Sequence, residues 1–177
     1  MLAASGPEKY QESGIEIVQD DQGKPIAVIP GVSEKSLGKL SLSHSNGLAV
    51  AAAVQGKSVE GIGVDVEIVE PRSDAWVNDY FTEEEIRIAG TGDERWRELT
   101  KIWCLKEAAL KAMGTGLRFD LREIDASQVN ASGRATLEFR DNVARFLDDS
   151  GHGSFEARVE ETEGTVTAIV ISRSPSN

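Results

Sequence analysis

The sequence predicts an α+β fold in which mainly antiparallel sheets pack on helices. Residues 14–68 and 135–171 contain stretches with the alternation of short strands, while the segment between Pro71 and Met113 is rich in helix formers. Strands grouped on both sides of a helical segment favour antiparallel sheets over the alternating βαβ pattern of a parallel sheet. The 177 residues, 40% of them hydrophobic, suffice for one ordinary domain or two small halves with a core.

The composition excludes several classes of protein. The formal net charge of −11 argues against a broad surface for nucleic acid or anionic membranes. A single cysteine, Cys104, excludes an internal disulfide bond and fits a reducing compartment. No apolar run is long enough to span a membrane, and no basic stretch followed by an apolar core suggests a signal peptide. We therefore expect a cytoplasmic protein with neither nucleic acid nor membrane as a partner.

Turn signals divide the first sixty residues into two predicted hairpins. Residues 14–18 and 25–29 are predicted strands on either side of a turn at residues 20–23. Residues 39–44 and 48–54 flank Asn46-Gly47, and Asn-Gly between such runs is the strongest short signal for a hairpin.

Capping signals bound the predicted helices. Thr82 and Glu85 have the spacing of a capping box, so a helix should begin there and end near Gly90. A longer helix should begin near Asp93, continuous or with one break, and end at Gly114. Three strands are predicted in the last third of the chain, and the turn at 161–164 joins the last two: 135–139, 155–159 and 165–171.

The predicted strand at residues 61–68 carries two carboxylates on one face. Asp65 and Glu67 occupy one alternation of the strand. The other alternation is apolar and consists of Ile62, Val64, Val66 and Ile68. Like charges this close repel each other unless something positive lies between them. The strand therefore predicts a cation or a basic group at this point.

The longer helix supplies a third carboxylate and two lysines. Trp103, Glu107 and Lys111 are four residues apart and share one face, and Lys106 lies about 100° round the helix from Glu107. The simplest interpretation is a surface Glu–Lys pair worth about 0.3–0.5 kcal/mol. Together with the acidic strand, however, these residues predict a magnesium–phosphate site, because Mg²⁺ takes carboxylate and phosphate oxygens and lysines neutralise phosphate.

Five short motifs follow one another along residues 23–129. They are GKP at 23–25, SLSHS at 41–45, GVDVE at 63–67, YFTEEE at 80–85 and WCLKEAALK at 103–111, the last followed by GTGL at 114–117. Each is weak alone, but in this order and spacing they resemble the 4′-phosphopantetheinyl transferase family. The smaller holo-carrier-protein synthase class shares the aspartate strand and the helix motif but normally lacks the Ser-His-Ser stretch. The chain therefore resembles the larger, surfactin-synthetase-activating class.

The resemblance implies an enzyme that transfers the 4′-phosphopantetheine arm of coenzyme A to a serine of an apo acyl or peptidyl carrier protein. The leaving group is 3′,5′-ADP, the cofactor is Mg²⁺ or alternatively Mn²⁺, and the pathway is fatty-acid, polyketide or nonribosomal peptide synthesis. Catalysis of phosphoryl transfer depends mainly on positioning and charge neutralisation. The implied fold has two pseudo-symmetric α+β halves whose antiparallel sheets pack on helices.

The resemblance also assigns roles to single residues. The implied metal ligands are Asp65, Glu67 and Glu107. The implied catalytic residues are Glu107, Asp65 and Lys111. The implied contacts of coenzyme A are Lys106 and Lys111 on the pyrophosphate, and Lys24, Ser43 and His44 on the phosphates of the adenosine end. Glu107 is also the implied base for the serine, directly or through water, although a bound metal lowers its basicity and leaves the identity of the base open.

Structural roles compete with several of these assignments. His44 is alternatively a histidine at a hairpin end bonded to a local carbonyl, and Lys24 a turn lysine. Glu85 is fully explained by its capping box, with a supporting role in the site as the equal alternative. We expect Trp103 to pack in the core between helix and sheet.

The implied first half is short in this chain. We expect residues 1–58 to form a shortened N-terminal half and residues 59–177 a complete catalytic half, within one globular unit. The helical part and basic residues that open the family's first half are missing. A domain excised from a larger synthase is the preferred explanation. The alternative is a naturally short form that exposes apolar surface and self-associates to cover it, instead of remaining a monomer.

Two other functions compete with the transferase. One is a non-catalytic module that binds coenzyme A or a carrier protein, which would not need the carboxylate set. The other is a metal-dependent phosphohydrolase, which two histidines in the chain do not favour. A carrier is typically acidic, so docking on this acidic chain would need a local basic patch. The alternative is that the candidate residues are ordinary solvated cations with no role in docking. The candidates for that patch are Arg87, Arg95, Arg97, Lys101, Arg118 and Arg122.

Overall fold

The computed structural model describes residues 14–20, 23–32 and 37–175 and has the predicted α+β fold. The strands are β1 Glu16–Gln19, β2 Pro25–Val28, β3 Lys39–Ser45, β4 Leu48–Val54, β5 Val59–Ile68, β6 Ile124–Val129, β7 Arg134–Phe139, β8 Ser154–Thr162 and β9 Thr165–Arg173. The helices are α1 Asp74–Tyr80, α2 Glu83–Ala89, α3 Gly92–Met113 and α4 Asp141–Ser150. Part of the first predicted turn, residues 21 and 22, lies outside the described residues.

Every strand pairing is antiparallel, as predicted. The main sheet has five strands in the order β5-β9-β8-β7-β6, and β1–β2 and β3–β4 form two separate hairpins. The predicted hairpins, the capping box at Thr82 and the end of α3 at Gly114 are all confirmed. Helix α3 runs without a break. Among the described residues, no helix combines the length and the apolar character that crossing a membrane requires.

Two elements in the last third escape the sequence patterns. Strand β6 reads IDASQV and has few β-branched residues, and its ladder with β7 is irregular between Asp125 and Gln128. Helix α4 lacks a side-chain cap of its own. Its Val143 N–H donates to Glu123 Oε2 at 3.0 Å instead, so the cap comes from a residue outside the helix.

Helix α3 lies unusually close to β5 because two glycines face it. A methyl group on Gly61 would lie 1.8 Å from the Ala112 carbonyl oxygen, and one on Gly63 would lie 1.8 Å from the Ala108 carbonyl oxygen. Real carbon atoms do not approach an oxygen so closely, so only glycine permits this contact. This glycine contact therefore sets the distance between β5 and α3. It lies two residues before Asp65 on the strand and one residue after Glu107 on the helix.

Aromatic side chains hold α1 against the outer part of α3. Trp103 lies 5.0 Å from Trp76 and 5.2 Å from Tyr80, measured between ring centroids. Trp103 is half-buried and packs against the main core, and its aromatic neighbours belong to α1. Its expected position between helix and sheet stays a prediction. Cys104, the next residue, turns the other way and is fully buried beneath β9, where its thiol approaches the Val166 carbonyl.

The glycine contact yields a prediction for Gly63→Ala. The added methyl must push α3 away from β5, so we expect the free energy of unfolding to fall by at least about 2 kcal/mol. Gly56→Ala is the matched control, because its methyl would approach the Val59 side chain at 3.2 Å and no backbone atom. Urea unfolding followed by circular dichroism measures both, and equal stability of the two variants would contradict the glycine contact.

Candidate active site

The acidic face of β5 meets α3 at one point. Lys111 Nζ lies 2.7 Å from Asp65 Oδ1 and donates a second hydrogen bond to the Val64 carbonyl at 3.0 Å. Glu107, one turn earlier on α3, is close enough to feel the charges of Asp65, Lys111 and Glu67. The structure thus pairs Lys111 with Asp65 and places Glu107 within electrostatic range of Asp65 and Glu67. The assignment of the three carboxylates as metal ligands stays a prediction.

Asp65 has one satisfied carboxylate oxygen and one unsatisfied one. Its Oδ1 accepts hydrogen bonds from Ser43 Oγ at 2.8 Å and from Lys111 Nζ. Its Oδ2 is buried and has no hydrogen-bond partner. Burying a carboxylate oxygen without a partner is costly, so such an oxygen points to a ligand that completes it.

Glu67 is held in a similar way, with more exposure. Its Oε2 accepts a hydrogen bond from Ser45 Oγ at 2.8 Å, and Arg72 lies 3.6 Å from the same oxygen. Arg72 is shared, because it makes a closer ion pair of 2.9 Å with Glu70. Ser45 is therefore the nearer restraint on the Glu67 carboxylate.

Glu107 is a perturbed acid. Burial is the largest cause that raises its pKa, the charge of Asp65 adds to it, Lys111 opposes it and Glu67 raises it further, and the resulting pKa is about 7. A carboxyl group with this pKa exchanges its proton near neutral pH, which a general base requires.

These residues fit a divalent cation that brings ligands of its own. Excess negative charge, the unsatisfied Asp65 oxygen and the raised pKa of Glu107 all favour a cation at this point. Within residues 14–20, 23–32 and 37–175, however, no three acidic, histidine or cysteine side chains are already arranged as a metal site. Phosphate oxygens and water would have to complete the shell, as is usual for Mg²⁺.

The structure corrects the assignment of Lys106. Its side chain is fully buried and its Nζ lies 2.6 Å from Glu85 Oε2 and 3.0 Å from the Tyr80 carbonyl oxygen. The one-residue step from Glu107 turns it toward α2 instead of β5. Lys106 is thus not placed to contact a pyrophosphate, and burial lowers its pKa while Glu85 opposes that effect.

Glu85 has two structural roles at once. It completes the predicted capping box with Thr82, and its other oxygen accepts the Ala126 N–H at 3.2 Å. The ion pair with Lys106 therefore joins α2, α3 and β6 behind the site. The capping box of α2 is confirmed, and the ion pair with Lys106 ties Glu85 to α3, the helix that carries Glu107. A supporting role of Glu85 in the site stays a prediction.

The residues predicted for the adenosine end are separated. Ser43 faces β5, whereas His44 is exposed on the opposite face of β3, as the alternation of a strand requires. Lys24 lies by the end of α3, where a methyl group on Gly114 would be 3.5 Å from its Nζ. The assignment of His44 stays a prediction.

Sequence reasoning missed a basic cavity between the two hairpins. The cavity has a volume of about 730 Å³, and its lining includes Lys24, Lys39 and Lys57. These lysines belong to three turns or strand ends far apart in sequence. The GKP motif singles out Lys24, but no local motif announces Lys39 or Lys57. Ser45 and Arg72 were missed as well, although Ser45 shares the strand alternation of Ser43.

The fold and the site together define an α+β protein with an acidic, cation-compatible site between the edge strand of a sheet and its longest helix. Residues 61–170 match the ACPS family, described as the 4′-phosphopantetheinyl transferase superfamily. This match covers more than half of the chain, and the chain belongs to that superfamily.

Individual relatives agree with the family match. A phosphopantetheinyl transferase of Thraustochytrium sp. is 29% identical over 139 residues, which are 70% of this chain and 46% of the relative. A holo-[acyl-carrier-protein] synthase of Syntrophotalea carbinolica is 37% identical over 73 residues, which are 41% of this chain and 57% of the relative. The chain therefore spans about half the length of these curated relatives.

The fold agrees with solved structures. The holo-[acyl-carrier-protein] synthase of Neisseria meningitidis superposes with a TM-score of 0.58 at 24% identity, over 65% of this chain and 98% of the synthase. The predicted α+β fold of this family is thereby confirmed.

The raised pKa of Glu107 predicts how stability depends on pH without divalent ions. The folded protein holds this proton up to about pH 7, whereas an unfolded glutamate releases it near its ordinary pKa of 4.5. Stability is therefore lost as pH rises from 4.5 to 7, by roughly 1–3 kcal/mol. Glu107→Gln should remove this loss and be the more stable protein at pH 8. Urea unfolding at pH 5 and pH 8 measures the difference, and parallel curves would contradict it.

The buried ion pair predicts that Lys106→Met destabilises the protein by about 3–5 kcal/mol, because Glu85 is left buried without its cation. The double variant Lys106→Met/Glu85→Gln should recover only part of this loss, because it removes the buried charge but its single amide oxygen can accept only one of the Thr82 and Ala126 N–H groups. Thermal and urea unfolding measure both. If Lys106→Met kept full stability and weakened coenzyme A binding instead, the original pyrophosphate assignment would be restored.

Proposed function

We propose that this chain transfers 4′-phosphopantetheine from coenzyme A to a serine of an apo acyl or peptidyl carrier protein. The observation that carries the proposal is the cluster of Asp65, Glu67, Glu107 and Lys111 inside the segment that matches the superfamily. The names of the curated relatives, a phosphopantetheinyl transferase and a holo-[acyl-carrier-protein] synthase, support the same activity.

The chain's own residues account for binding and proton transfer. Lys111 exchanges its contact with Asp65 for a pyrophosphate oxygen of coenzyme A. The carrier serine oxygen attacks the phosphorus that bears the pantetheine arm, and the bond from that phosphorus to the bridging oxygen breaks, which releases 3′,5′-ADP. Glu107 is the proposed base that takes the serine proton, directly or through water. Its pKa of about 7 is that of the metal-free site, and a bound cation would lower it.

Asp65, Glu67 and Glu107 would hold Mg²⁺, or Mn²⁺ in its place. The ion would neutralise charge on the pyrophosphate and on the leaving oxygen. Between them the three side chains offer carboxylate oxygens on both β5 and α3, and the unsatisfied Oδ2 of Asp65 is the oxygen best placed to bind it.

The basic cavity supports binding of the adenosine end. Lys24 lies both in the lining of the cavity and by the end of α3, so an extended polyanion would meet Lys111 and Lys24 in succession. Lys39 and Lys57 would supply further positive charge for the phosphates of this end. Ser43 and His44 remain proposed contacts on the strength of the motif.

We also propose that the chain belongs with the larger class of the superfamily. The SLSHS stretch forms β3, and its serines bind the acidic strand, so it is an integrated part of the site. In this proposal residues 1–58 are a reduced first half and residues 59–177 the catalytic half. Large exposed hydrophobic side chains concentrate in the first part, which fits self-association or contact with further chain: Ile15, Ile17, Val18, Val28, Leu42 and Leu48.

A carrier-docking patch gains little support from the candidate cations. Four of them are engaged within the chain: Arg87 with Glu84, Arg97 with Glu94 and Glu161, Lys101 with Glu98 and Glu161, and Arg122 with Asp120. Arg95 lies over the ring of Trp96, with 5.4 Å between the guanidinium and the ring centroid. Arg118 is exposed beside Leu117 and is the better candidate.

The test incubates the protein with coenzyme A, Mg²⁺ and an apo carrier protein and then weighs the carrier. We expect a gain of one phosphopantetheine mass. Asp65→Asn and Glu107→Gln should each lower the rate by at least about a hundredfold, because each removes a ligand or the base. Lys111→Ala should raise the KM for coenzyme A and slow turnover. Arg145→Ala, exposed on α4, is the control and should react at the normal rate.

Each other outcome has its own meaning. Coenzyme A bound without a change in carrier mass would favour the binding module. Phosphate released without a carrier would favour a phosphohydrolase. A Glu107→Gln variant with normal rates would remove both roles proposed for Glu107.

A further inference from the structure

The serines of β3 face β5 with the same two-residue spacing as its carboxylates. Ser43 Oγ donates to Asp65 and Ser45 Oγ donates to Glu67, each at 2.8 Å. Because alternate side chains of a strand share one face, two neighbouring strands in this register bring both pairs together at once.

Ser41, the first serine of the row, fixes this register. It is buried, and its Oγ accepts the Val64 N–H at 3.0 Å. Since β3 and β5 belong to different sheets, side-chain bonds rather than a backbone ladder align them. A shift of one residue would turn the serines away from the carboxylates.

Ser43 and Ser45 each donate to a carboxylate oxygen that a basic side chain also contacts. Asp65 Oδ1 receives both Ser43 and Lys111, and Oδ2 of the same group is left unsatisfied. Glu67 Oε2 receives Ser45 and, at 3.6 Å, Arg72. In both carboxylates a serine and a basic side chain contact the same oxygen, and in Asp65 the other oxygen is without a hydrogen-bond partner.

We propose that Ser45 is a positioning residue that holds Glu67 in the orientation in which it binds a divalent cation. The inference rests on the metal site of the proposed function. A glutamate has three side-chain torsions, so fixing it before the cation arrives removes part of the entropy cost of binding. Arg72 cannot replace Ser45 in this role, because its closer ion pair is with Glu70.

The test compares Ser45→Ala, Ser45→Thr and Ser132→Ala. Binding of Mn²⁺ is followed by the electron paramagnetic resonance of the free ion, with and without coenzyme A, and the free energy of unfolding is measured by urea. We expect Ser45→Ala to bind Mn²⁺ about tenfold more weakly with nearly unchanged stability. Ser45→Thr keeps the hydroxyl and should bind as the wild type does.

Ser132→Ala is the matched control. Ser132 Oγ makes an equally short bond of 2.7 Å, to Asn130 Oδ1, but on the turn between β6 and β7 at the far edge of the main sheet. This variant should leave Mn²⁺ affinity unchanged.

The outcomes separate this inference from the proposed function. If wild type binds Mn²⁺ and transfers the arm while Ser45→Ala binds Mn²⁺ equally well, the role of Ser45 is overturned and the function stands. The role of Ser45 would also be overturned if Ser45→Ala and Ser45→Thr lost Mn²⁺ affinity and stability to the same extent. The packing of the hairpin would then be the cause. If wild type binds no Mn²⁺ even with coenzyme A, the metal site itself is overturned.

Discussion

The approach of α3 to β5 is the constraint on which the candidate site depends. Gly61 and Gly63 let the carbonyl oxygens of Ala112 and Ala108 reach the strand where any other residue would keep them away. Because Gly63 stands two residues before Asp65, and Ala108 directly follows Glu107, this contact sets the separation of the strand and helix carboxylates. The contact between the backbones of β5 and α3 therefore sets the geometry of the site, and the side chains are placed by it.

Close carboxylates lower the stability of the chain by itself, and the structure shows where the effect appears. One oxygen of Asp65 stays unsatisfied, and burial first and the charge of Asp65 second raise the pKa of Glu107 to about 7. Lys111 relieves only part of the repulsion, since its pair with Asp65 leaves Glu107 perturbed. A site that is unfavourable alone and favourable with a cation is preorganised for that cation, because the repulsive arrangement already exists before binding.

The features that the sequence predicted correctly are those that local patterns determine. The alternation of β5, the capping box at Thr82 and the glycine that ends α3 each depend on a few neighbouring residues. Lys106 shows where local reasoning fails. Its neighbour Glu107 does join the site, but one step along a helix turns a side chain by about 100°, and the partner that captures Lys106 is Glu85, 21 residues earlier.

The same argument explains the other omissions. Helix α4 is capped by Glu123 from outside the helix, and the basic cavity collects lysines from separate turns, so neither leaves a local signal. Trp103 has the helical spacing of a core residue, and its aromatic neighbours Trp76 and Tyr80 lie on α1, a contact that no local pattern announces. The cap of α4, the cavity lining and the surroundings of Trp103 all depend on contacts with residues distant in sequence and not on local propensity.

The short first part of the chain contributes more than its size suggests. Through Ser41, Ser43 and Ser45 it touches the backbone and both carboxylates of β5, and through Lys24 it reaches the end of α3. The net charge of −11 would repel a polyanion at long range, so a local cavity with three lysines matters more here than in a basic protein. A phosphate-bearing substrate that meets both Lys24 and Lys111 would be held by the hairpins and the helix at once. Its binding would then strengthen the docking of the hairpins on β5, because a ligand that contacts two elements stabilises the arrangement in which both are present.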